Sequence, residues 1–135
     1  QEKQANTSST SQTLFNLKLL AYERIILFIE RIKPDSFIPR TLSPSLPYQE
    51  YQLLLINEIR KEFEYNLSQQ LYLSENAWEV TVNFKDNIIT LINSAATSCP
   101  PQATAGDLAR KILEHYISSD LKGDQILKIV KAEIQ

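Results

Sequence analysis

The sequence predicts an all-α fold, a four- to five-helix bundle with a proline-rich crossover loop after the first helix. Three observations carry that prediction. There are two glycines in 135 residues, against a usual share of about 7%. Tight hairpins, bulges and phosphate loops lean on glycine, so its scarcity argues against all three. Apolar residues recur at helical spacing over long segments, and the prolines stand between those segments as punctuation. The length fits one domain with its own core.

Residues 1–13 read QEKQANTSSTSQT, too polar to build a core, and are expected to be a flexible polar tether. Residues 14–135 then form a single helical domain. The first helix is expected from Thr13 to Lys33, stopped by Pro34. Its apolar residues, among them Leu14, Leu17, Leu20, Tyr22, Ile25, Ile26, Phe28, Ile29 and Ile32, cover most of the circumference. At 100° per residue, Asn16, Glu23 and Glu30 fall on one polar seam, and Arg24 and Arg31 fall on the adjacent one. A helix apolar almost all round belongs at the centre of a bundle or in an oligomer.

Pro34, Pro39, Pro44 and Pro47 then favour an extended, ordered crossover pinned by Phe37, Ile38 and Leu42. The second helix is expected from Tyr48 to Leu73, with Leu55, Ile59, Phe63 and Leu67 inward and Glu50, Asn57, Lys61, Glu64 and Ser68 outward. Gln52, Asn66 and Gln70 fall inside its apolar sector, with Glu62 on the flank. Ser74 caps the third helix. There Trp78, Val80, Val82 and Phe84 also alternate as a strand would, with a turn available at residues 85–87. The helical pattern through Ala77, Thr81, Phe84, Ile88, Leu91, Ile92 and Ala95 is about three times longer, so a helix is expected, ending before Pro100 and Pro101. Thr104 and Asp107 form a capping box for the fourth helix, which turns Leu108, Ala109, Ile112, Leu113 and Tyr116 inward. Gly123 and Asp124 open a short last one.

The formal net charge of −2 and the scattered cations argue against a nucleic-acid partner. One cysteine permits no internal disulfide. No apolar run reaches the roughly 18 residues of a membrane span. The catalytic search is negative. Cys99 precedes two prolines with no activating helix start, and His115 stands alone, as a partly exposed structural histidine. Glu114 and His115 are adjacent, which suits neither a di-iron bundle nor a helical zinc site. No phosphate loop is present, and neither metal nor cofactor is expected.

Two candidate sites follow. Asn66, Gln70 and Glu62, facing Glu23 and Glu30, could line a small polar pocket between helices, because bundle sites are built from facing inward side chains. The competing reading has the amides satisfied by backbone or across a helix pair, since an unpaired buried polar group costs about 1–3 kcal/mol. Tyr22, Ile26 and Ile29 with Trp78 are the candidates for a contact with another protein or a second copy. For Trp78, a plug in the core is the stronger expectation.

At AYERIILFIERIKP (residues 21–34) and EFEYNLSQQLYLSENAWE (residues 62–79) the chain resembles an uncharacterised Bacteroidota family of membrane-anchored helical domains. That resemblance implies a membrane anchor before residue 1, with residues 1–13 as its juxtamembrane linker. It also implies helix rather than hairpin at residues 75–97. It assigns no activity and no functional residues. A chain that begins at Gln1 and contains no methionine fits a piece of a longer protein. The expectation is a non-catalytic interaction or scaffold domain, membrane-associated on the cytoplasmic side, with a homodimer or another protein as partner. The alternative is a small-polar-ligand binding module or weak enzyme at Asn66 and Gln70.

Overall fold

The computed structural model describes the backbone of residues 2–134 and the side chains of residues 9–134. In chain order it contains α1 (Glu2–Ile32), α2 (Pro34–Thr41), α3 (Tyr48–Tyr65), a 3₁₀ segment (Leu67–Tyr72), α4 (Glu75–Thr97), α5 (Ala105–Ser118) and α6 (Gly123–Ala132). The fold is an all-α bundle, and among the described residues there is no strand. Its core is one cluster, to which α1 contributes Tyr22, Ile25, Phe28, Ile29 and Ile32, α3 Tyr51, Leu55 and Ile59, and α4 Phe84, Ile88 and Ile92. From α5 and α6 come Leu108, Ile112, Leu127 and Val130.

Helix α1 starts at Glu2, eleven residues ahead of the expected Thr13. Nothing in residues 2–13 breaks a helix, since the stretch has neither glycine nor proline. Local bonds support it: Thr13 Oγ1 donates to the Ser9 carbonyl at 2.9 Å and Gln12 Nε2 to Asn16 Oδ1 at 3.3 Å. Residues 9–17 are all exposed, so the part of the expected tether whose side chains are described, residues 9–13, is helical and stands clear of the core, while residue 1 lies outside the described residues. At 1.5 Å per residue α1 is about 46 Å long.

The crossover differs from expectation. Pro34 ends α1 but also occupies the first position of α2, where its missing N–H costs no hydrogen bond. Lys33 before it is extended, φ −58° and ψ 130°, as the residue preceding a proline must be. Pro39 lies inside α2 and forfeits one bond to the Asp35 carbonyl. Phe37 and Ile38 are buried, and that burial offsets the loss. After α2, the carbonyls of Leu46 and Pro44 accept from the Ala105 and Gly106 N–H groups at 2.7 and 3.3 Å. The crossover thereby satisfies two of the four orphan amides at the start of α5.

The second helix is also shorter than its pattern implied. Asn66 Nδ2 donates to the Glu62 carbonyl at 2.8 Å, the acceptor its own backbone N–H would use in an α-helix. That N–H turns to Phe63 O at 3.0 Å, and the chain tightens into the 3₁₀ segment. Asparagine competes with its own backbone in this way. The change of period exposes Leu67, Gln70 and Leu71, which an uninterrupted helix would have turned inward.

Residues 75–97 are helix, not hairpin. Ser74 Oγ accepts from the Ala77 N–H at 3.0 Å, and the Ser74 N–H donates to the Tyr22 hydroxyl at 3.0 Å. The Thr104–Asp107 capping box is present on both sides. Glycine 123 opens α6 with its N–H on the Tyr116 hydroxyl at 2.8 Å.

Candidate functional site

Helices α1 and α3 meet where Arg31 bonds Glu62, and beyond α3 the chain returns along α1 until Ser74 reaches Tyr22. They do not close along their whole length. Between them lies a groove of about 480 Å³, lined from α1 by Arg24, Leu27, Phe28 and Arg31 and from α3 by Glu58, Lys61, Glu62 and Tyr65, with Asn66 at the end. Phe28 of its lining belongs to an aromatic ladder. The Phe28 and Phe63 rings are 5.9 Å apart, Trp78 from α4 stacks on Phe63 at 5.4 Å, and Lys85 Nζ lies 4.1 Å from the Phe63 ring centre. That ladder ties three helices together.

Charge along the groove is uneven. Arg31 Nε and Nη2 both donate to Glu62 Oε1, at 3.0 and 2.8 Å. That hydrogen bonding, with the fields of Glu62 and Glu58, raises the Arg31 guanidinium above its usual value against the opposing effect of burial. Two carboxylates therefore attend one arginine. Arg24 and Lys61, on opposite walls, have no ion pair among the described residues. The groove can seat an apolar or aromatic body and present two uncommitted cations to an anionic group. It offers no nucleophile activated by a base.

Of the five residues expected to form a polar pocket, Glu62 and Asn66 line this groove and the other three do not. Gln70 is exposed on the 3₁₀ segment. Glu23 is exposed outside the groove, and Glu30 pairs with Lys33 at 3.3 Å. The polar end of Asn66 is spent on its own helix. Of the expected contact residues, Tyr22 and Ile29 are fully buried in the chain's own core, which removes them from any surface. Ile26 is half-buried, and Trp78 is occupied by Phe63. Arg24, Arg31, Glu58, Lys61 and Tyr65 escaped the sequence reading of the site. Arg24 and Arg31 were visible as a seven-residue seam, and Lys61 as part of a solvated face.

Cys99 is buried, its thiol donating weakly to the Ala95 carbonyl. Burial pushes that thiol up against the lowering influence of Lys111, the opposite of what a thiolate nucleophile needs. His115 is exposed. Among the described residues no group of three or more His, Cys, Asp or Glu could hold a metal ion, and no helix is long and apolar enough to cross a membrane.

A family model matches residues 1–135, the whole length. The chain belongs to DUF7935, a family of unknown function. Comparison with curated proteins and with solved structures gave no match. Membership in DUF7935 thus assigns no chemistry to the groove, whose meaning must come from its residues.

Proposed function

We propose that this DUF7935 chain is a non-catalytic interaction domain, held at the cytoplasmic face of a membrane by a segment preceding residue 1. One observation carries the interaction reading. Helix α1 turns Leu14, Phe15, Leu17, Leu20 and Leu27 outward, each between 39% and 59% exposed. Apolar surface gathered on one helix marks a contact site more often than scattered leucines do. The anchor reading is supported by the resemblance of residues 21–34 and 62–79 to a membrane-anchored family of the Bacteroidota, and by a polar helical arm clear of the core. Cross-linking of the full-length protein in native membranes should recover a partner, and Leu20→Ser with Leu27→Ser should abolish that recovery. Unchanged recovery would sink the interaction reading.

The groove supports a second reading, a binding site for a small ligand with an anionic group and an apolar body. A metabolite screen by thermal shift tests it, because a ligand selective for the native state must raise the melting temperature. A hit that survives Arg24→Gln and Lys61→Gln would place the ligand elsewhere.

A further inference from the structure

Leu20 and Leu27 lie seven residues apart and project from α1 at 53% and 59% exposure. At 100° per residue, Glu23 and Glu30 flank that line on one side and Arg24 and Arg31 on the other. Two of these four charges are committed within the chain, Glu30 to Lys33 at 3.3 Å and Arg31 to Glu62 at 2.8 Å. Glu23 and Arg24 have no ion pair among the described residues, nor has Lys61 on the facing groove wall. Opposite signs on opposite flanks of an apolar line constrain what can dock there. When two copies of such a helix pair antiparallel, like flanks meet, glutamate against glutamate and arginine against arginine. When they pair in parallel, each acidic flank meets a basic one on both sides of the axis.

We propose that α1 docks in parallel and in register on α1 of a second copy. Leu20 and Leu27 meet their counterparts there, and Glu23 of the second copy enters the groove mouth between Arg24 and Lys61. This rests on the interaction reading and names its partner. A stable dimer buries about 800 Å² per protomer, roughly a tenth of the 8239 Å² this chain exposes. Leu17 extends the apolar line along α1. Tyr65, which lines the groove with Leu27, is about four-fifths exposed and widens it. The parallel arrangement also brings both N-termini to the same end, as two chains anchored in one membrane require.

Sedimentation equilibrium on residues 1–135 tests this with variants at exposed positions, their folding checked by thermal melting. The wild type should dimerise. Glu23→Arg and Arg24→Glu should each raise the dimer Kd about tenfold or more, a loss of about 1.4 kcal/mol or more. An equimolar mixture of the two variants should recover the wild-type affinity as a heterodimer, because one then carries two basic flanks and the other two acidic ones. Leu20→Cys and Leu27→Cys should each cross-link to itself on oxidation, because an antiparallel pair can set only one of the two against its own counterpart. A wild type that stays monomeric at about 1 mM overturns the proposal, since that corresponds to only about 4 kcal/mol of association. So does a dimer indifferent to both reversals, or one in which either cysteine variant fails to cross-link. Partner recovery from native membranes is a separate measurement, so loss of the dimer alone leaves the broader interaction reading standing.

Discussion

The two glycines behave in opposite ways, and Lys33 is the reason. A methyl group on Gly123 would collide with Cγ and Cδ of Lys33, whose ammonium is fixed by Asp124 at 3.0 Å and Glu30 at 3.3 Å. Gly123→Ala should therefore destabilise the fold by about 1–3 kcal/mol. At Gly106 the nearest atom to such a methyl is 3.6 Å away, and Gly106→Ala should stabilise by about 0.5–1 kcal/mol. Urea midpoints of the two variants should move in opposite directions. Lys33 also sets an alkaline limit. Burial opposes its charge, but the hydrogen bonds to Asp124 and Glu30 prevail and hold it above its ordinary value. A lysine raised on folding stabilises fully below its unfolded value of about 10.4 and loses that contribution as pH climbs through the folded one. Lys33→Met should flatten the fall of the melting temperature above about pH 10.

Among the elements, the well-capped helix starts carry testable weight. Removing the Ser74 hydroxyl with Ser74→Ala should cost about 1 kcal/mol, as loss of an N-cap does. Tyr22→Phe should cost about 1–3 kcal/mol, because it strips the Ser74 N–H of its acceptor. At α5, the Thr104 backbone N–H, then its hydroxyl, holds the Asp107 carboxyl below the usual carboxylate range. A depressed carboxylate stabilises above its unfolded value of about 3.9 and loses that contribution as pH falls through the folded one. Asp107→Asn should make α5 less responsive to acid, read by amide exchange between pH 2 and 5.

These starts were readable because serine, threonine and aspartate announce themselves by type and spacing. Helix α2 was not, because Pro34 is equally a terminator of one helix and the first residue of another, and only the burial of Phe37 and Ile38 decides. Nor was the break at Asn66, where hydrophobic spacing continues unchanged and a single side-chain bond to the Glu62 carbonyl alters the period. The site suffered most from that break, because Gln70 was placed by extrapolating an α-helix past it. Glu62 and Asn66, which precede the 3₁₀ segment, both line the groove.

For the whole molecule, the core and the outer face of α1 should separate cleanly. At concentrations where the chain is monomeric, Leu20→Ser and Leu27→Ser should leave stability within about 0.5 kcal/mol, because both side chains are already exposed in the single chain. Deleting residues 1–12 should change it by less than about 1 kcal/mol, since the described side chains there touch solvent. Larger losses in denaturant titration would show that the arm packs on the bundle.

Helix α1 is continuous from an arm clear of the core to Ile32 in its centre, without a glycine or proline to act as a joint. Anything attached at its start is therefore geared to the bundle by helical phase. One residue inserted between Thr10 and Ser11 would turn the attachment by about 100° and shift it by 1.5 Å, and seven would nearly restore its bearing. A series of one- to seven-residue insertions should then give an output that oscillates with insert length, where a slack joint would give a flat response.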